Sequence, residues 1–506
     1  AAVGEDLHAA RPAREEGQRL LVIHVDAFHA HRARDVLLGG DLIRVVEHGI
    51  ETVEGEKGRR GIEGRAAEKV FDGGEAEVLG LAGLGIAGCT SDEMSEPGAA
   101  PLNTPQQTGS APPSSTPMPS APLASAPAAP TKPVSQGEPN KKDARPAFAE
   151  QTRAPESVSG VKLNVQTVAS GLSEPWAMAL LPDGALLVTE RTGKLWTITP
   201  TGQKSEVTGV PIVDNRDQGG LLDISVGPDF TTSRTIYFTF SEARGEGKNG
   251  TSLGTAKLSA DGRKLENARV IFQQTPAIAS TKHYGSNIEW DSAGNLYLTL
   301  GERSDPQPRV QAQDKASHLG KVLKLTAEGK PAEGNPFVGQ AGAKPEIWST
   351  GHRNVQGAAM HLETGKLWTI EHGPRGGDEI NIPEGGKNYG WPVITYGIDY
   401  PGGPIGEGIT SRAGMEQPVY YWDPVISPGD MTFYRGDLFP WKGDLLVSAL
   451  RPAALVRLEV SGDRVTGEER LLKDQGRIRD IQEAADGAIW AITDESNGKL
   501  LRLTPG

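Results

Sequence analysis

The stretch DGALLVTE, residues 183–190, joins a turn signal to a short alternating strand, and similar stretches recur along the chain. The five others are PDFTTSRTIYFTF at 228–240, AGNLYLTLGE at 293–302, TGKLWTIE at 364–371, KGDLLVSA at 442–449 and DGAIWAIT at 486–493. Second strands follow, such as KLWTITP at 194–200, and no long helical periodicity interrupts them. Spacings of roughly 45–80 residues are typical of four-stranded blades with inserted loops. The pattern predicts an all-β, six-bladed β-propeller over residues 160–506.

Closure of such a ring predicts where its two ends meet. A propeller pairs a strand from one terminus with the blade at the other terminus. We therefore expect the extended stretch Val161 to Val168 to join the C-terminal blade. Because loops from every blade converge on the central channel, we expect the functional residues there.

The composition places the folded core in the last two-thirds of the 506 residues, because all nine Trp and all nine Tyr follow residue 175. The chain is 23% charged and 37% hydrophobic and has one Cys, which excludes a membrane bundle, a coiled coil and an internal disulfide. A formal net charge of −13 repels polyanions, so nucleic acid is not an expected partner.

Three sections precede the predicted propeller. Residues 1–77 have too few aromatic residues to anchor a core, and either a start site placed too early or a small helical segment would account for them. Residues 78–89, VLGLAGLGIAGC, form an apolar run of signal-peptide length that is too short to span a bilayer. Residues 90–159 are rich in Pro, Ser and Ala, which predicts a disordered tether.

The end of the apolar run, Ile86-Ala87-Gly88-Cys89, resembles the lipobox of bacterial lipoproteins, in which the signal is cut before the Cys and the thiol is acylated. The acidic flank of the run departs from that pattern, and a buried Gly/Ala-rich strand is the alternative. The resemblance implies a protein of the cell envelope, periplasmic or extracytoplasmic, that contacts the membrane only through a lipid on Cys89.

Polar segments interrupt the strand pattern and hold the candidate functional residues. They are NRDQGG at 215–220, KHYG at 282–285, GHRNVQG at 351–357, EHGPRGGDEIN at 371–381 and GRIRD at 476–480. In a strand, the i, i+2 spacing of Arg477 and Arg479 places both guanidiniums on one face, which suits a carboxylate or phosphate clamp. Each segment alone is common in ordinary loops, and only their combination indicates a site.

This combination resembles the soluble, pyrroloquinoline quinone (PQQ)-dependent aldose sugar dehydrogenases of the glucose/sorbosone dehydrogenase family, whose six-bladed propeller holds PQQ over its channel. The resemblance covers about residues 165–504 and rests on GHRNVQG, on EHGPRGGDEIN followed by GKNYGWP, and on DQGGLLDI and GRIRD. It implies a PQQ- and calcium-dependent enzyme that oxidises aldose sugars at C1 to the lactone and passes the electrons to an external acceptor.

The resemblance also implies roles for single residues. His283 corresponds to the general base that takes the proton of the anomeric hydroxyl, a role that suits an imidazole. Arg353 and Asn354 correspond to the pair that stabilises charge on the quinone oxygen. The other implied PQQ contacts are Gln218, Tyr400, Arg451, Arg477 and Arg479. The implied calcium ligands are the carbonyls of Gly373 and Pro374 at the ion that also binds PQQ, and Glu379 and Tyr389 at a second, structural ion.

Two positions depart from the glucose-specific branch of the family and favour the broader aldose branch. Lys282 precedes His283 where that branch has an orienting Asp, which leaves open what orients His283. The glucose-specific branch has a Lys near the position of Arg435. An Arg is not equivalent to a Lys where a single donor is aimed at one oxygen atom. Two other functions remain open: a lactonase-type hydrolase, which needs a carboxylate-rich metal centre, and a catalytically silent cell-surface propeller that binds glycan or protein.

Overall fold

The computed structural model describes residues 34–38, 41–46, 49–52 and 132–506. The first three of these ranges form a three-stranded antiparallel sheet of β1 (Arg34–Leu38), β2 (Asp41–Val46) and β3 (Gly49–Thr52). The described residues of this part of the chain form strands, whereas one of the two alternatives for residues 1–77 was a small helical segment. The apolar run at 78–89 and most of the predicted tether lie outside the described residues. No helix in the described part of the chain is long and apolar enough to cross a bilayer.

Residues 160–506 form six four-stranded antiparallel sheets, which confirms the predicted six-bladed propeller. β4 (Leu163–Leu172) precedes the first complete blade. Blade one contains β5 (Pro175–Leu180), β6 (Leu186–Glu190), β7 (Leu195–Ile198) and β8 (Lys204–Val207). Blade two contains β9 (Leu221–Val226), β10 (Thr235–Ala243), β11 (Asn249–Leu258) and β12 (Leu265–Gln273). Blade three contains β13 (Gly285–Trp290), β14 (Leu296–Leu300), β15 (Lys321–Leu325) and β16 (Ile347–Thr350).

The remaining blades follow in chain order. Blade four contains β17 (Val355–Met360), β18 (Leu367–Glu371), β19 (Asp378–Asn381) and β20 (Tyr420–Trp422). Blade five contains β21 (Pro428–Phe433), β22 (Leu445–Leu450), β23 (Ala453–Ser461) and β24 (Arg464–Leu471). Blade six contains β25 (Ile478–Glu483), β26 (Ile489–Thr493) and β27 (Gly498–Pro505). The connections contain the helices α1 (Phe230–Ser233) and α2 (Pro306–Arg309) and a 3₁₀ turn (Val310–Gln313).

The ring is closed as the sequence predicted, because β4 pairs antiparallel with β27 and completes blade six. The first strands of neighbouring blades contact one another around the full circle. The six repeated stretches form the second strand of each blade, and their apolar residues are buried. Gly184 and Gly487 in the turns before two of these strands have φ values of 84° and 80°, a conformation that favours glycine.

The structure corrects the C-terminal end of the predicted tether. Residues 132–159, which we call the strap, lie along blades four and five. Gln151 is fully buried, and its Nε2 donates to the Pro418 carbonyl at 2.9 Å. The main-chain N of Ala154 donates to the Tyr420 hydroxyl at 2.9 Å. A Pro- and Ala-rich composition predicted disorder here, but the polar groups of the strap find partners on the propeller surface.

Deleting residues 1–157 should destabilise the propeller relative to deleting residues 1–131, because the longer deletion leaves the partners of the strap unpaired. The hydrogen bonds of Gln151 and Ala154 contribute about 1 kcal/mol each, so we expect a melting temperature lower by roughly 3 °C. Calorimetry of both purified variants measures the difference. Equal melting temperatures would show that the strap adds nothing to stability.

Candidate active site

The predicted site residues come together at one face of the propeller. Gln218, His283 and Arg353 lie in loops that precede the first strands of blades two, three and four. First strands run in the same direction through a propeller, so the residues that precede them meet at one end of the channel. One cavity of about 240 Å³ at this end, which we call the arginine cavity, is lined by Gln218, Asn354, Arg477 and Arg479 together with Trp176, Arg191 and His372.

A second cavity of about 480 Å³ lies at the opposite ends of the first strands. Its acidic side chains join neighbouring blades: Asp223 accepts from the Ile288 N and Asp480 accepts from the Met178 N, both at 2.6 Å. Arg435 lines this cavity and not the arginine cavity. The exchange of Lys for Arg at that position therefore does not alter the candidate site.

His283 is held by the glutamate that follows the second strand of its own blade. The ring Nδ1 lies 3.0 Å from Glu302 Oε1, and the main-chain N donates to Gln218 Oε1 at 2.9 Å. Glu302 and His283 are both buried. A carboxylate only accepts hydrogen bonds, so Nδ1 carries the ring proton and Nε2 is the free base. Burial, followed by the charge of Arg353, lowers the pKa of His283 to about 4.

The loop that carries His283 rests on blade three. Arg303 is fully buried, and its Nε donates to the Lys282 carbonyl at 2.8 Å. A side chain at Gly301 would place its Cβ 2.0 Å from the His283 carbonyl oxygen, so only glycine fits there. The Lys282 side chain is exposed. Glu302, and not residue 282, therefore orients the imidazole.

Arg353 and Asn354 stand directly before β17. Arg353 Nη1 donates to the carbonyls of His372 and Gly373 at 2.8 Å each, and Nη2 lies 3.3 Å from the Tyr400 hydroxyl. Asn354 Oδ1 accepts a hydrogen bond at 3.1 Å from the main-chain N of Gly285, the first residue of β13. Tyr400 is 62% exposed, so its ring borders solvent. The Arg353 guanidinium thus ties the loop after β18 to the centre of the site.

The two arginines of blade six share the arginine cavity but differ in burial. Arg479 is 6% exposed, and its guanidinium carbon lies 4.1 Å from the Trp176 ring centre. Its Nε is buried and has no hydrogen-bond partner among the described residues. The Arg477 side chain is 44% exposed and pairs with Asp494 at 3.0 Å. Arg451 does not join them, because it is exposed after β22 and does not line the cavity.

A small neighbouring cavity is lined by Gly373, Glu379 and Tyr389, three of the predicted calcium ligands. Pro374 is buried and follows Gly373 in the same loop. Glu379 lies directly opposite Glu371 across the sheet, an arrangement that is unfavourable for two like charges. Burial and the charge of Glu371 raise the pKa of Glu379 well above its usual range.

Glu371 also lines this cavity, and Asn381, which does not line it, lies within hydrogen-bond distance of Glu371. Asn381 Nδ2 donates to Glu371 Oε1 at 3.1 Å, while Asn381 Oδ1 is buried and has no partner among the described residues. Carboxylate and amide oxygens are the ligands that a hard cation prefers. No group of three or more His, Cys, Asp or Glu side chains in the described ranges could hold a metal ion. Main-chain oxygens would therefore have to complete a site here.

His372 also lines the arginine cavity, although it was not among the predicted site residues. Its Nε2 lies 2.7 Å from the Pro428 carbonyl, which can only accept, so Nε2 carries the proton and Nδ1 is an acceptor. Burial, followed by the charge of Arg479, lowers the pKa of His372 to about 3. The ring therefore stays neutral between the arginines of the site.

Sequence reasoning also missed Glu302 and Glu371, although a signal for both was present. Three of the six repeated stretches end on a glutamate, at positions 190, 302 and 371. Each of these glutamates is buried just after or at the end of a second strand. Glu190 accepts from the Ser173 N at 2.8 Å, Glu302 holds His283, and Glu371 holds His352 at 3.0 Å.

Comparison with known proteins agrees with this architecture. The family model described as glucose/sorbosone dehydrogenase matches residues 172–502. The chain is 43% identical over 349 residues to the aldose sugar dehydrogenase YliI of Escherichia coli (strain K12), which covers 68% of this chain and 93% of that protein. It is 24% identical over 437 residues to the quinoprotein glucose dehydrogenase B of Acinetobacter calcoaceticus, covering 70% of this chain and 90% of that protein.

Solved structures give the same result. The apo form of the soluble aldose sugar dehydrogenase from Escherichia coli superimposes with a TM-score of 0.66 at 42% identity, covering 68% of this chain and 100% of that chain. The PQQ-bound aldose sugar dehydrogenase from Streptomyces coelicolor superimposes with a TM-score of 0.57 at 28% identity, covering 68% of this chain and 99% of that chain. The chain belongs to the glucose/sorbosone dehydrogenase family.

Proposed function

We propose that this protein is a PQQ- and calcium-dependent dehydrogenase that oxidises aldose sugars at C1 to the lactone and passes the electrons to an external acceptor. The observation that carries the proposal is a neutral His283, held by Glu302, next to a cavity lined by buried and half-buried arginines. Two similar proteins, an aldose sugar dehydrogenase and a PQQ-bound aldose sugar dehydrogenase, support the same activity.

The arginine cavity fits PQQ, which carries three carboxylates. Arg191, Arg477 and Arg479 line it, and the buried Nε of Arg479 needs an acceptor that no described residue supplies. Burial lowers the pKa of Arg479 to about 10, so the guanidinium is still charged at neutral pH. Carboxylates are the natural partners of such donors. Gln218 and Asn354 would add amide contacts from the same cavity wall.

The small cavity fits calcium. Glu371 and Glu379 face each other across the strand pair, and a bound cation would relieve their repulsion. The main-chain oxygen of Tyr389 would join Glu379 at this structural ion, while the carbonyls of Gly373 and Pro374 would hold the ion that also binds PQQ. The Gly373 carbonyl also accepts from Arg353 at 2.8 Å, so the arginine and the ion would share this oxygen or compete for it.

The proposed reaction removes a hydride and a proton from the sugar. PQQ, when bound, would accept the hydride that leaves C1. His283 Nε2 would take the proton from the anomeric hydroxyl, because Nδ1 already donates to Glu302. The Glu302 carboxylate would stabilise the imidazolium that this transfer forms. Arg353 and Asn354 would hold the loops around the reacting centre.

Replacing Glu302 by Gln should lower turnover more than it weakens binding of PQQ or sugar. An amide can donate as well as accept, so it no longer fixes the proton on His283 Nδ1. We expect kcat to fall by about tenfold to a hundredfold, measured by steady-state dye reduction at saturating cofactor. Glu346→Gln, beside the buried His318 outside the site, is the matched control. Wild-type turnover in Glu302→Gln would contradict this role.

Reconstitution tests the proposed function. Purified protein is loaded with PQQ and calcium and assayed with a panel of hexoses, pentoses and disaccharides and an artificial electron-accepting dye. We expect dye reduction that needs both additions and that stops when a chelator removes calcium before PQQ is added. No reduction with any aldose would refute the proposal. Hydrolysis of lactones without dye reduction would instead favour the lactonase-type alternative.

We further propose that a lipid on Cys89 anchors the protein in the cell envelope. The support is the lipobox-like Ile86-Ala87-Gly88-Cys89 and the Pro-rich stretch that follows it. In a bacterial host, Cys89→Ser should shift the protein out of the membrane fraction or leave it unprocessed, because the acyl group is the proposed membrane contact. Fractionation and labelling with a fatty-acid analogue measure this, with Ser91→Ala as the control. Wild-type protein that takes up no label would contradict the anchor.

A further inference from the structure

The strap makes contacts next to the loop that holds the proposed calcium ligands. The carboxylate of Asp423, which is 3% exposed, follows the last strand of blade four. Asn140 donates to Asp423 Oδ1 through its main-chain N at 2.9 Å and through Nδ2 at 2.7 Å. Lys141 N donates to Asp423 Oδ2 at 2.8 Å. Within the described ranges, every hydrogen bond to this buried carboxylate comes from the strap.

Asp423 in turn packs against the calcium loop, residues 373–379. A Cβ at Gly376 would lie 2.6 Å from Asp423 Oδ1, so the carboxylate rests directly on the backbone of that loop. Gly377 N donates to the carbonyl of Trp422, the neighbour of Asp423, at 2.8 Å. The position of the carboxylate therefore limits where the loop can lie.

The strap also reaches the loop and its neighbouring segment without Asp423 as an intermediate. Arg375, inside the calcium loop, donates through Nε to Asn140 Oδ1 at 2.9 Å. Lys141 is 5% exposed, and its Nζ donates to the Gly408 carbonyl at 2.8 Å. Asn140 is thus bonded on one side to Asp423 and on the other to the loop itself.

We propose that Asn140 is a positioning residue for calcium, and that the strap preorganises the loop that would bind the ion. The inference rests on the proposed function, because it assumes that this loop binds calcium. The family model begins at residue 172, so the strap lies outside the matched residues. Without Asn140 the buried Asp423 carboxylate loses one of its donors and Arg375 loses its acceptor, and the loop has more freedom before the ion binds.

The test measures calcium binding by isothermal titration calorimetry on the full-length, PQQ-free protein. Asn140→Ala should weaken calcium affinity by about tenfold, and Asn140→Asp should weaken it at least as much, because it sets a second carboxylate against Asp423. In chelator, Asn140→Ala should lower the melting temperature by only roughly 3 °C, because it removes two hydrogen bonds, and its kcat should recover at saturating calcium. Ser159→Ala, which removes a strap hydrogen bond to Glu469 on blade five, is the matched control.

Each outcome separates the two proposals. Wild-type affinity in both Asn140 variants would overturn the role of the strap and leave the proposed function intact. An equal loss in Ser159→Ala would also overturn it, because the strap would then act only through general stability. Wild-type protein that binds no calcium would overturn the strap proposal together with the calcium requirement of the proposed function.

Discussion

Replacing His283 by Ala should lower the rate at which an aldose reduces bound PQQ by about 10²- to 10⁴-fold, the usual contribution of a general base. PQQ and calcium affinity should change little, because the imidazole bonds to Glu302 and to no proposed ligand of either group. Rapid mixing of excess sugar with enzyme saturated in PQQ and calcium measures the rate. Reduction at the wild-type rate would rule out His283 as the base.

A control and a pH profile strengthen this experiment. His318 is also a buried histidine beside a glutamate, but its partners Thr275 and Glu346 do not line the arginine cavity, whereas His283 bonds to Gln218, which does. His318→Ala should therefore leave the reduction rate near that of the wild type.

Since the pKa of His283 is lowered to about 4, the base is neutral above that value and protonated below it. The wild-type rate should fall as the pH drops toward 4, with no loss near the ordinary histidine value of 6.5.

Replacing Arg479 by Ala should weaken PQQ binding by roughly tenfold to 150-fold, which corresponds to the loss of about 1.5–3 kcal/mol for one charged hydrogen bond. Arg479 is 6% exposed, and its Nε has no hydrogen-bond partner among the described residues. A bound carboxylate would therefore displace little water and no hydrogen bond from this Nε. Equilibrium titration of apoprotein with PQQ, followed by absorbance, measures the affinity. High PQQ concentrations should restore part of the activity.

Arg477→Ala should have a smaller effect than Arg479→Ala, because the Arg477 side chain is 44% exposed and already pairs with Asp494. Arg502→Ala removes a half-buried arginine of the same blade that pairs with Asp486 and does not line the arginine cavity, so it should leave PQQ affinity unchanged. Circular dichroism confirms that each variant is folded. If both cavity variants bind PQQ like the wild type, the two arginines do not clamp the cofactor.

The blade strands and the closure of the ring could be predicted because their signals are local. Alternating apolar residues and turn residues define each second strand within stretches of eight to thirteen residues, and the extended stretch before Leu172 pairs with β27 as expected. The i, i+2 rule likewise predicted that Arg477 and Arg479 share a face, and both line the arginine cavity. Their unequal burial depends on Trp176 of blade one, which no local pattern links to blade six.

The sequence by itself determined the six-bladed ring, the polar segments between its strands and the residue types that could serve as base, clamp and calcium ligands. Only the tertiary structure decided which of them meet: Glu302 reaches His283, the strap reaches Asp423, and Arg451 stays outside the arginine cavity. The physical reason is that strand periodicity depends on neighbouring residues. Contacts between loops, in contrast, depend on how the closed ring brings together positions that lie up to hundreds of residues apart.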